Sequence, residues 1–161
     1  MRELLAWMEA STLGMLMRES GVWTYAVVNL CHILGVSTLF GSILILDLRL
    51  LGVLRGVPLA PVARATIPVG QSGFAVAAVT GVALLSTNAT EYIGNPFLLI
   101  KFPAIAAGLL NIWLLSRTAA WRAHRERVLT PREARQLAVA GGVSLASWLT
   151  AVSAGRMIGY W

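Results

Sequence analysis

The sequence predicts an all-α integral membrane protein. Its expected form is a four-helix bundle, with spans at about residues 22–46, 65–86, 96–116 and 136–158, preceded by an amphipathic interfacial helix at about residues 2–18. Three observations predict it. Of the 161 residues, 57% are hydrophobic and only 12% charged, about half the charged share of an ordinary soluble domain. The charges sit in short clusters between four apolar stretches, each near the ~20 residues that cross a ~30 Å hydrocarbon core. The basic residues, 12 Arg and one Lys against seven acids, gather mainly in two of the connections. In a soluble chain a net charge of +6 would raise nucleic acid as a partner. Here the Arg/Lys bias of cytoplasmic loops accounts for it, and the expected partner is the lipid bilayer, with no nucleic acid.

The elements follow in order. Residues 2–18 place Leu4, Leu5, Met8, Thr12, Met15 and Leu16 on one side of a 3.6-residue period, with Arg2, Glu3, Glu9 and Arg18 largely opposite. The stretch is too polar to span and is expected along the membrane interface, the alternative being a face packed on a partner protein. Glu3 and Glu9 interrupt any signal-peptide core, and the following apolar run is too long for one. Ser20-Gly21 breaks the helix. Val22–Leu46 then runs 25 residues without a formal charge, with His32 near its middle. Asp47, Arg49, Gly52, Arg55, Gly56 and Pro58 form a turn-rich loop. The second span carries Pro68 and Gln71 near its start, and its stripe Gly73, Ala77, Gly81 admits a close neighbouring helix.

Ser86 to Asn95 is a short polar loop, and Asn95-Pro96 opens the third span as N-cap and first helical residue. That span contains Lys101, Asn111 and Pro103, which removes a backbone donor and should kink it. Arg117–Arg135 is a basic loop in which His124 is expected to be solvated. Within it Thr130-Pro131-Arg132-Glu133 reads as a capping box opening the fourth span, whose stripe is Ser147, Ala151, Gly155. No internal repeat stands out, and residues 1–161 read as one domain. The loops after spans one and three hold nine basic residues against four on the opposite side. That excess places those loops in the cytoplasm and both termini in the periplasm of a bacterial inner membrane.

An ionisable side chain in mid-span is costly and points to function. His32 lies roughly 15 Å below the periplasmic end of its span, and Lys101 roughly 7–8 Å below the same surface. Arg156 sits at the periplasmic end of the fourth span. Tyr25, Asn29, Gly35 and Ser42 share the His32 face. An imidazole, a glycine gap and two cations above them suit haem b, which needs an axial ligand, room beside the macrocycle and cations near its propionates. The candidate cofactor-binding residues are therefore His32, Asn29, Gly35, Lys101 and Arg156, with His32 as the metal ligand. A second axial ligand would be Met157, a displaced Lys101, a symmetry-related His32, or none.

Each residue also has a plainer reading. His32 could donate to Asn29 or a backbone carbonyl across a helix interface, or relay protons. Lys101 could snorkel to the surface, and Arg156 could anchor headgroups with Tyr160 and Trp161. Asp47 is expected to pair with an arginine from another helix end. Cys31 is the only cysteine, so no intrachain disulfide and no Cys-based metal site forms. No phosphate loop, HExxH motif or nucleophile elbow is present, so no enzymatic activity is assigned.

The run WTYAVVNLCHILGVSTLFGSILILDLRLLG, the piece NPFLLIKFPAIAAGLLN and the ending SWLTAVSAGRMIGY resemble an uncharacterised family of small bacterial four-helix membrane proteins over nearly the whole chain. The resemblance implies an integral membrane fold. Members of that family often end the third span with a histidine; this chain has Leu114-Leu115-Ser116-Arg117 there. A more distant similarity is to the copper-resistance D proteins and the membrane protoporphyrinogen IX oxidases, which also place a His on an early span and a Lys near the start of a later one. That similarity implies haem b, with His32 as an axial ligand and Lys101 as a functional cation, but not the oxidase activity, whose surrounding motifs are missing. The expected function is haem-b electron transfer in contact with the quinone pool. The alternatives are a non-catalytic subunit or assembly factor of a larger complex, or a copper or proton carrier using His32 with Met8, Met15 and Met17. A homo-oligomer sharing ligands is a further expectation.

Overall fold

The computed structural model describes residues 2–161. Among them the α-helices run in order as α1 Arg2–Ala10, α2 Thr12–Glu19, α3 Gly21–Leu50, α4 Leu59–Thr87, α5 Pro96–Ser116, α6 Ala119–Ala123 and α7 Pro131–Met157, with no strand. The class is the expected one: all-α, with α3, α4, α5 and α7 long and apolar enough to cross a membrane. A helix satisfies its backbone N–H and C=O groups within itself, which hydrocarbon requires. Large side chains such as Val27, Leu34, Val79 and Leu110 are exposed, an arrangement suited to lipid rather than water.

Four boundaries differ from the sequence reading. Residues 2–18 form two helices, not one. Ser11 ends α1 by donating its hydroxyl to the Met8 carbonyl and starts α2 by accepting from the Gly14 amide. The bend also needs glycine, because a Cβ at Gly14 would stand 2.4 Å from the Glu9 carbonyl oxygen. The helix α3 runs beyond Leu46 to Leu50 and stops in a Schellman turn. Gly52, at φ +88°, donates to Arg49, and Val53 donates to Leu48. The helix α4 begins at Leu59 rather than near Ala65, with Leu59 and Ala63 buried in its first turns. Pro68 is therefore interior to α4. The basic loop contains α6, capped by Thr118. The capping box at Thr130 and Glu133 is present and opens α7, and Arg127 pairs with Glu133 at 2.6 Å.

The chain packs as two compact units, Met1–Leu39 with Gln71–Pro96, and Phe40–Gly70 with Phe97–Trp161. In the first, α1 and α2 are tied to the segment after α4. The Glu9 carboxylate accepts from the amide and the hydroxyl of Thr90, both at 2.7 Å, and Arg18 donates to the carbonyls of Thr87 and Glu9. Leu5 and Met17 are buried while Leu4, Trp7 and Leu16 stay exposed, a division suited to lying at a lipid interface. In the second unit a core of Leu50, Leu59, Ala120 and Leu137 joins α3, α4, α6 and α7.

The Thr90 amide, then its hydroxyl, hold the Glu9 carboxyl below the ordinary carboxylate value, with Arg18 adding a smaller pull in the same direction. The docking stabilisation is thus complete above the ordinary value near 4.5 and is lost as pH falls through the lower folded value. Hydrogen exchange of residues 2–19 should show protection at neutral pH that disappears on acidification through that window. Glu9→Gln should lose both the protection and its pH dependence.

Candidate functional site

In the first unit, α3 and α4 touch backbone to backbone. A Cβ at Gly73 would stand 2.6 Å from the Leu39 amide nitrogen, and one at Gly35 would stand 2.8 Å from that of Ala77. Only glycine permits this approach, and it brings Thr80 of α4 to His32 of α3, with Nδ1 and Oγ1 3.0 Å apart. The Thr80 hydroxyl has one proton and gives it to the Val76 carbonyl at 2.6 Å. With that proton committed, the Thr80 oxygen is placed to accept from Nδ1 of the imidazole. The ring lies against α4 at Gly81, where a Cβ would stand 3.0 Å from Cε1.

Two helical turns from His32, at Tyr25, a cavity of about 380 Å³ opens, lined by Met17, Arg18, Tyr25, Leu84, Asn88 and Tyr92 among others. Leu84 continues the Thr80 face of α4 by one turn, so the cavity and the His32–Thr80 pair share the α3–α4 seam. Burial, then neighbouring Tyr25 and Glu91, push the Tyr92 hydroxyl above its ordinary pKa and keep it protonated.

Asn29 is half-buried one turn from His32, but the hydrogen-bond partner that the structure supplies for His32 is Thr80. Sequence reading missed Thr80. The signal was its place on the face of Ala77 and Gly81, at a depth comparable with His32. Lys101 and Arg156 belong to the second unit. The Lys101 ammonium lies against α7, where a Cβ at Gly155 would stand 3.4 Å from Nζ. Next to that glycine, Arg156 stacks on the Tyr160 ring at 4.5 Å and donates to its hydroxyl.

Two expectations are corrected in the second unit. Asp47 does not pair with an arginine: it is 3% exposed, its Oδ2 is buried with no hydrogen-bond partner among the described residues, and it lies near Ser144 of α7. Gly141 allows this contact, since a Cβ there would stand 2.9 Å from Leu50 Cβ. His124 is not solvated but 8% exposed. It sits beside the Trp121 ring at 4.4 Å and donates from Nδ1 to the Trp121 carbonyl. Burial pushes its pKa down, against the opposing pull of that carbonyl, so the ring is held neutral.

These features define a multi-pass helical membrane protein with a polar pair inside one helix seam. The chain belongs to a family of unknown function, DUF6644, whose sequence model matches residues 4–161. No curated protein and no solved structure matches it.

Thr80→Val removes the acceptor of a half-buried imidazole N–H and should lower stability by about 0.5–2 kcal/mol, with Thr80→Ser near neutral. Unfolding of the detergent-solubilised protein measures both.

Proposed function

We propose that this protein binds haem b through Nε2 of His32 and passes electrons to or from the quinone pool. The observation that carries the reading is the His32–Thr80 pair: a hydroxyl placed to accept from Nδ1 is the kind of partner that orients a histidine for ligation through Nε2. Second-shell acceptors of this kind orient ligating histidines and raise their basicity. Among the described residues no three His, Cys, Asp or Glu side chains cluster as a metal site.

Haem b, when bound, supplies one-electron chemistry. The chain's own residues do the rest. Gly35 and Gly73 let α4 approach so that Thr80 reaches His32. Tyr25, Tyr92, Arg18 and Asn88 offer a half-polar, half-aromatic recess for a quinone headgroup. Asn29, one turn from His32, is a candidate donor beside it. The alternative reading is a non-catalytic subunit or assembly factor, in which the His32–Thr80 bond serves only as a latch between helices.

The visible spectrum of protein purified from haem-supplemented cells distinguishes the two. Haem binding gives a Soret band that His32→Ala abolishes, and Thr80→Val weakens haem retention about 10-fold. A parent without a Soret band, spectrally identical to His32→Ala, ends the haem reading and leaves the latch.

The proposed setting is a bacterial inner membrane, with segment 117–135 cytoplasmic and both termini periplasmic, on the arginine excess of that end. In a Cys31→Ala background, an impermeant maleimide applied to intact spheroplasts should label Glu19→Cys but spare Val128→Cys until the cells are opened. The reverse pattern would overturn the orientation.

A further inference from the structure

The second unit holds a cavity of about 480 Å³ that the haem reading does not use. It lies where α3 ends, bounded by the turn after it and by the first turns of α7. Its walls divide by chemistry. Arg49, Arg55 and Arg135 supply guanidinium groups, while Leu50, Leu51 and Ala138 supply aliphatic surface that continues along α3 and α7.

The turn sets two of these arginines. Gly52 has no Cβ, and one there would stand 2.8 Å from Arg55 Nε, so the Arg55 side chain folds back over the turn. Arg49 donates Nε to the Val57 carbonyl, which fixes its guanidinium beside the cavity. The acids of this unit are engaged elsewhere or lie off the cavity wall. Glu133 is taken by Arg127 and Thr130, while Asp47 and Glu126 do not line the cavity. Among the described residues the one ion pair is Arg127–Glu133, so none of the three lining arginines has a carboxylate partner.

Three guanidiniums left without counter-charge, above an aliphatic wall at a helix end, match an anionic headgroup joined to acyl chains. Guanidinium forks suit phosphate oxygens. The volume falls within the ~300–1,000 Å³ of small-molecule sites, more than an isolated phosphate ion needs. We propose that this cavity binds the phosphodiester of an anionic phospholipid, with Arg49, Arg55 and Arg135 on the phosphate and the acyl chains along Leu51 and Ala138.

The test uses full-length protein in neutral detergent, titrated with phosphatidylglycerol, phosphatidylcholine or inorganic phosphate, with bound molecules counted by native mass spectrometry. The parent should retain phosphatidylglycerol in preference to phosphatidylcholine. R49Q/R55Q/R135Q should weaken that retention about 10- to 100-fold. The charge-matched R122Q/R125Q/R132Q, which alters exposed arginines off the cavity wall, should leave it unchanged. Arg135→Gln alone, at an exposed helix position, should weaken it about fivefold and keeps the test valid if the triple variant does not fold. Equal weakening in the two triple variants, or no preference over phosphatidylcholine, overturns the site. Inorganic phosphate bound as tightly as phosphatidylglycerol overturns the lipid as occupant.

Discussion

In hydrocarbon a polar group has no water to turn to, and that constraint governs this fold more than any packing preference. The backbone answers it by forming helices. Side-chain hydroxyls answer it locally: Thr66 donates to Val62, Thr80 to Val76, Ser86 to Ala83 and Ser147 to Val143, each within its own helix. The groups that cannot be satisfied locally join helices. The Asn111 amide crosses from α5 to the Ala140 carbonyl of α7, and Thr80 of α4 pairs with His32 of α3. Helix association in lipid lacks a hydrophobic drive, so these few bonds and close backbone contacts carry it.

Glycine decides where such bonds can form. Gly35 and Gly73 remove the side chains that would keep α3 from α4, and Gly141 does the same between α3 and α7. In α5, Gly108 accepts the face of Trp148, whose ring would stand 2.9 Å from an added Cβ. Each polar contact between helices of one unit thus lies within about two turns of a glycine. The close approach comes from the glycine, and the neighbouring polar pair fixes its register.

Much of this was legible in the sequence because it rests on local chemistry. The four spans follow from apolar runs, the α7 start from Thr130 and Glu133, and the close seam from Gly73 and Ala77. What was not legible depends on residues distant in sequence. Nothing near Asp47 points to α7 packing against it, whereas His124 was misread although its partner Trp121 stands only three residues before it. The bend at Ser11 was closer to hand: a capping residue three positions before Gly14 competes with the smooth period that links Leu4 to Leu16. Periodicity outweighed capping in that reading, and the clash of a Cβ at Gly14 shows why capping prevails.

The His32–Thr80 pair bears on function through what a latch requires. Two helices can be joined by one donor and one acceptor, and a serine in place of His32 would supply them with a smaller polar burden. An imidazole brings a second ring nitrogen that must also be accommodated at the depth where polar groups are dearest. Thr80, committed to Val76, is placed to accept from Nδ1, so one of the two ring nitrogens is met across the seam. A histidine here thus asks more of its surroundings than a serine would, and the seam that glycine creates between α3 and α4 holds this polar pair as much as it holds the helices.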